Sequence, residues 1–174
     1  MKLTLLGLSL ALVASLSHAE QKEPAIKGFG FYYTVPNHTA IDEQTRFKIA
    51  FDVANAAEKG KQNNSINSLA RFINMHIAHG VKPENIQLAL VVHGSASVDV
   101  LKTGAYKQRF NSDNKNQQLI SQLLAHNTVV YVCGQSATHM QVKQEQLIPG
   151  VQMALSAMTA HAQLQQQGYT LNPF

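Results

Sequence analysis

Apolar residues along the chain fall into short continuous runs, separated by stretches in which they recur at helical spacing. FKIAFDV, Phe47–Val53, reads as a first strand and is followed by a polar turn through residues 59–64. Ile66, Leu69, Ala70, Ile73 and Ile77 then mark one face of a helix. Asn64 or Ser65 is suited to cap its start, and Gly80 stands where a helix commonly ends. IQLALVV, Ile86–Val92, is almost wholly apolar, as expected for a strand buried on both faces of a parallel sheet.

Between residues 97 and 126 the helical pattern is interrupted. Val98, Val100 and Leu101 suggest a short helix ending before Gly104, and Leu119, Ile120, Leu123 and Leu124 a firmer one. Residues 128–132 read as a third strand and 151–155, after Pro149, as a fourth. Ser156 is placed to cap a helix carrying Ala157, Ala160, His161 and Leu164; Gly168 closes it, and residues 169–174 offer a last short strand. The alternation predicts a doubly wound α/β domain over residues 45–174, with a mainly parallel sheet of about five strands. Ahead of it, residues 20–44 lack a helical period. Gly28, Gly30 and Pro36 punctuate Phe29, Phe31, Tyr32 and Tyr33, which predicts an extended aromatic arm covering its own domain or a neighbouring subunit.

The first 19 residues change the setting. Lys2, an apolar run from Leu3 to Leu16 and the small-x-small site Ser17, His18, Ala19 have the form of a secretory signal peptide cleaved after Ala19. The expected compartment is the periplasm, with full secretion as the alternative. No later segment approaches the roughly 20 apolar residues of a membrane span, so no membrane association is expected after cleavage. Cleavage would leave 174 − 19 = 155 residues, enough for one domain with one core. It would also remove one of 14 Lys and Arg, leaving 13 against 10 acids, a net charge of +3. These charges are scattered, which indicates neither a nucleic-acid footprint nor a polybasic membrane patch.

Strand ends concentrate the candidate chemistry, because ligands of open parallel sheets bind beyond the carboxyl ends of the strands. The first strand ends at Asp52, the second at His93 with Gly94 and Ser95, and the third at Cys133 with Gly134, Gln135 and Ser136. Cys133 is the one cysteine in the chain. An intramolecular disulfide is therefore excluded, and the thiol is an inert core residue, a link to another chain or a working group. A helix beginning at GQSATH would favour the thiolate, and His93 within hydrogen-bond reach would add to this. Asp52 has the bland alternative of capping a turn; Gln135 and Ser136 suit ligand or anion contacts. Metal binding is not predicted. Neither HxxxH nor CxxC occurs, His139 and Met140 are neighbours that diverge on a helix, and His76 and His79 fit a solvated helix face.

FDV at 51–53, LARFIN at 69–74, VVHG at 91–94, YVCGQS at 131–136 and the tail LQQQGYTLNPF together resemble the exported branch of the DsrE/DsrF-like family. The likeness runs from the aromatic arm to Phe174. It implies a three-layer α/β/α fold that assembles into homo-oligomers: dimers, trimers or hexamers. It also implies a persulfide-carrying cysteine at the position of Cys133. No cofactor is expected. The expected function is sulfur handling through Cys133, as a persulfide carrier or sulfurtransferase-like protein, with sulfur donor and acceptor unnamed. A non-enzymatic ligand-binding or assembly module is the alternative, and a soft-metal binder a weaker one. Partners of the better-known relatives are cytoplasmic, whereas this chain reads as exported.

Overall fold

The computed structural model describes residues 23–172, so the predicted signal peptide lies outside the described residues. Five strands form one sheet in which every neighbour is parallel: β1 (Phe47–Val53), β2 (Ile86–Val92), β3 (Val129–Cys133), β4 (Gln152–Ala154) and β5 (Thr170–Asn172), in the order β4-β3-β2-β1-β5. The chain steps from β1 to β4 in one direction and then returns across the sheet to place β5 beside β1. Right-handed crossovers require that return to use the opposite face.

The packing agrees. On one face, Phe51, Val53, Leu88, Leu90, Val92, Val130 and Val132 pack with Ile66, Leu69 and Ile73 of α1 (Asn64–Ala78) and Leu119, Ile120 and Leu123 of α3 (Gln117–Ala125). The other face is thinner: Ala50, Ala89 and Val91 meet Ala160 and Leu164 of α5 (Ala157–Gln166). Alanines on both sides let α5 lie close to the middle of the sheet. The result is the expected three-layer arrangement, with side chains alternating between the two faces along each strand.

Several predicted boundaries move by a residue or two. The cap of α1 is Asn63, whose side chain accepts the N–H groups of Ser65 and Ile66. Ser156 caps α5 as expected, accepting from Thr159 N–H at 3.0 Å. The region before β3 differs more. Residues Gly94–Val98 form a 3-10 turn, and the helix, α2, runs from Thr103 to Phe110 with Gly104 inside it. Val98, Val100 and Leu101 are core residues of the preceding turn and extended segment, and Leu101 forms an isolated bridge to Leu147. Gly104 has no atoms near where a Cβ would stand and a helical φ, so it punctuates nothing; Asn111, at φ +54°, ends α2.

Beneath the strand ends lies a buried polar cluster. Asp99 Oδ2 accepts Ala57 N–H at 3.0 Å and Asn63 Nδ2 at 2.7 Å, while Asn116 Oδ1 accepts Asn63 N–H at 2.7 Å. This fixes the loop joining β1 to α1. The described part of the arm, from residue 23, has no helix or strand and lies over α1 and α3 of its own domain. Asn74 of α1 accepts Ile26 N–H at 2.8 Å and donates to Ile26 O and Phe29 O at 3.1 and 2.9 Å, with Ile26 fully buried. Gly30, at φ +68°, runs so close to α1 that a Cβ would meet the Ala70 backbone at 2.4 Å.

Candidate functional site

Alternation along the strands brings the three predicted strand ends onto one face, that of α5. Phe51 and Val53 enter the large core, so Asp52 between them points the other way, and the same parity applies to His93 after Val92 and to Cys133 after Val132. His93 continues the extended backbone of β2 (φ −147°, ψ −173°), with its N–H donated to Val53 O at 3.0 Å. The last registered pair of β2 and β3 is Val92 with Val132, which places His93 level with Cys133 on adjacent strands.

The chain turns sharply after His93. Gly94 has φ +52°, and a Cβ there would stand 2.8 Å from Ala54 O, so both the backbone conformation and the close approach call for glycine. Ser95 Oγ accepts Ala56 N–H at 3.0 Å, which ties the two loops together. Gly134 has a comparable role after β3: a Cβ would meet Ala154 O at 2.6 Å. Without a side chain there, β4 can pair with β3 up to Cys133, whose register partner is Ala154.

Cys133 is buried, 6% exposed, and stands immediately before α4 (Gly134–His139). Burial pushes its thiol pKa up. Hydrogen bonds from the Ser136 hydroxyl and from the N–H groups of Ser136, Ala157 and Gln135 more than offset this, so the pKa lies below the ordinary value of 9.0. Ser136 Oγ also accepts Gly94 N–H at 2.9 Å. With that lone pair occupied by the backbone donor, the hydroxyl proton is free to point at sulfur. The sulfur is thus held between the start of α4 and the start of α5.

Asp52 sits at the centre of a second group. Its Oδ2 is 3.0 Å from Nε2 of His93 and its Oδ1 is 2.7 Å from Nε2 of His161 on α5. Partial burial opposes ionisation, yet hydrogen bonds and charge interactions with both imidazoles hold its carboxyl below the ordinary value of 3.8. Asp52 is therefore not a turn cap. His93 is joined to Asp52, and no hydrogen bond joins it to Cys133 among the described residues. His161 is the site residue that strand-end reasoning misses. Its one signal in the sequence is its place next to Ala160 and three residues before Leu164, on the stripe that α5 turns to the sheet.

Gly94, Ser95, Gln135 and Ser136 line a cleft of about 450 Å³ together with His139 and Met140. Gln135 Nε2 donates to Leu155 O at 3.4 Å, bridging α4 and the segment before α5. A larger cavity of about 600 Å³ lies between the arm and α1, lined by Phe29, Phe31, Tyr32, Asn67 and Asn74 among others. It contains none of the strand-end groups, and Asn67 and Asn74 within it hold the arm. Among the described residues, no group of three or more His, Cys, Asp or Glu side chains is arranged to hold a metal ion. His76 and His79 instead bond the carbonyls of Phe72 and Met75 through Nδ1. No helix of the described residues is long and apolar enough to cross a membrane.

No match was found among curated protein sequences. Two solved structures share the fold. The ychN protein from E. coli has a TM-score of 0.52 and 22% identity, and a protein of unknown function from Methanobacterium thermoautotrophicum, MTH1491, has 0.51 and 15%. Each alignment covers 72% of this chain and 97% of the other. At these identities the likeness concerns architecture. A family model, DsrE/DsrF-like, matches residues 37–173, which takes in every strand together with Asp52, His93, Cys133 and His161. The chain belongs to the DsrE/DsrF-like family.

Proposed function

We propose that this protein handles sulfane sulfur through Cys133 and does so after export to the periplasm. The observation that carries the reading is the cradle of donors around the sulfur: one hydroxyl and three N–H groups converge on a thiol whose pKa they lower despite burial. Such an environment favours a thiolate, and it favours a persulfide anion for the same reason. In the transfer step the Cys133 thiolate attacks the outer sulfur of a donor persulfide, R–S–S⁻. A bond forms between Cys133 and that sulfur, the donor S–S bond breaks, and R–S⁻ leaves with the electron pair. The reverse reaction delivers the sulfur to an acceptor thiolate. No second cysteine exists in the chain, so donor and acceptor are other molecules. Incubation of the mature protein with polysulfide, followed by mass spectrometry, tests the proposal: sulfur is expected on Cys133 and absent from Cys133→Ser. A chain that takes up no sulfur on Cys133 contradicts it.

A second reading, an assembly module, is favoured by the apolar side chains left exposed near the site. Leu155 and Met158 flank the start of α5, and Leu171 lies on the edge strand β5. Exposed apolar side chains such as Leu155 and Met158 beside the site, and Leu171 on the opposite edge of the sheet, suit contacts between copies of the chain. Sedimentation of wild type and Cys133→Ser tests this: a larger species preserved in the variant supports assembly independent of sulfur, and a monomer in both opposes it.

A further inference from the structure

Asp52 lies between two imidazoles, and the two are not equivalent. The side chains of Asp52, His93 and His161 are 37%, 32% and 17% exposed, so His161 is the most enclosed of the three. An ionised carboxylate can only accept hydrogen bonds, so both Nε2 atoms facing Asp52 carry a hydrogen. On His161 the other nitrogen, Nδ1, is buried with no partner among the described residues. A hydrogen placed there would be a buried donor without an acceptor, which is unfavourable. His161 is thereby confined to the Nε2–H tautomer and acts as a constant donor to Asp52 Oδ1.

The consequence falls on the other oxygen. With Oδ1 engaged at 2.7 Å by a side chain anchored on α5, rotation of the carboxylate is restricted and Oδ2 is presented to His93 Nε2 at 3.0 Å. We infer that His161 is a positioning residue that acts through Asp52 to fix His93 as its Nε2–H tautomer, leaving Nδ1 of His93 as the open basic nitrogen on the sheet edge that carries Cys133. The three residues come from β1, the end of β2 and α5, and the one other titratable group level with His93 on the neighbouring strand is Cys133. No hydrogen bond joins Nδ1 of His93 to the thiol among the described residues; the proposed role is that Nδ1 takes up the thiol proton when Cys133 becomes a thiolate, the S–H bond breaking and an N–H bond forming with no other reactant. This role rests on the proposed chemistry of Cys133, whereas the tautomer does not.

Nitrogen-15 NMR of the imidazoles in the sulfur-free mature protein separates the two. His93 and His161 are expected as Nε2–H tautomers in wild type. His161→Phe removes the donor to Oδ1, and His93 is expected to become a mixture of tautomers. His161→Gln returns an N–H donor and is expected to restore the single form. Asp52→Asn is expected to convert part of His93 to Nδ1–H, since an amide can turn its own donor toward Nε2. The rate of Cys133 alkylation by iodoacetamide should fall about tenfold in His161→Phe, the lower end of the loss seen when the hydrogen-bonded partner that orients a metal-bound histidine is removed, and recover in His161→Gln. An unchanged His93 tautomer in His161→Phe, or equal losses of rate in the Phe and Gln variants, overturns the inference. Failure of Cys133 to accept sulfur would leave the tautomer result standing and would count against the transfer proposal instead.

Discussion

The 2.7 Å hydrogen bond between Asp52 Oδ1 and His161 Nε2 joins the end of β1 to α5 across 109 positions of sequence. Together with the bond from His93, it lowers the carboxyl pKa in the folded chain below 3.8. A carboxylate depressed on folding stabilises the native state above its unfolded pKa, and that contribution is lost as pH falls through the folded value. Asp52→Asn is therefore expected to be less stable than wild type at neutral pH. The difference in urea midpoint should narrow below pH 3.8, and a gap that stayed constant into acid would show that charge on Asp52 is not involved.

Asp99 has the opposite sign. Burial raises its pKa, while the hydrogen bonds from Asn63 and Ala57 oppose the rise without cancelling it. An acid whose pKa is raised on folding destabilises the native state above the folded value, and the cost is relieved as pH falls toward 3.8. Wild type should accordingly gain stability relative to Asp99→Asn on acidification through that window. Paired denaturation curves from neutral pH downward measure the slope; parallel curves would contradict it.

Ser136 couples the sulfur to the turn at Gly94. Ser136→Ala removes the hydroxyl that stabilises the thiolate and leaves Gly94 N–H without its acceptor. A hydrogen bond to a charged group contributes about 1.5–3 kcal/mol, so alkylation of Cys133 near neutral pH should slow by about tenfold or more. Rates equal to wild type would mean that the three N–H groups suffice.

Gly134→Ala tests how tightly β3 and β4 are joined at the site. The added Cβ would meet the Ala154 carbonyl at 2.6 Å, and backbone on both sides limits relief. A loss of about 1–3 kcal/mol in thermal or chemical unfolding is expected. An unchanged midpoint would indicate that β4 shifts freely.

Asn74→Ala should release the aromatic arm. Asn74 makes three hydrogen bonds to Ile26 and Phe29, and its loss leaves buried backbone groups unpaired, a cost of about 2–3 kcal/mol. Limited proteolysis should then cut between residues 24 and 40 well before the domain itself. Equal resistance in variant and wild type would place the anchor elsewhere, with Asn67 and Arg71 as the next contacts.

Much of this arrangement is legible in the sequence because buried parallel strands announce themselves. IQLALVV has one polar residue, and its end at His93 follows from where the apolar run stops. Once β1, β2 and β3 are aligned by their runs, parity alone places Asp52, His93 and Cys133 on one face. Gly104 misleads, since glycine is read as a break yet sits inside α2 at no steric advantage. His161 eludes the same reasoning for a different cause. Its meeting with Asp52 depends on which face the β4–β5 crossover takes, and that is a property of strand order that local periodicity does not contain. The donors around Cys133 are similar: Gln135 and Ser136 follow it directly, but Ala157 reaches the sulfur from α5.

The late position of α5 also sets a schedule for the site. Contacts that close long loops form slowly, because chain entropy must be overcome before they contribute. A folding intermediate with β1, β2 and β3 already paired would hold the thiol at its strand end while Ala157 and His161 were still undocked. During that interval Cys133 would lack one of its donors and Asp52 one of its imidazoles. The full set of donors around Cys133 and the second imidazole on Asp52 are thus complete only when residues 157–172 are docked.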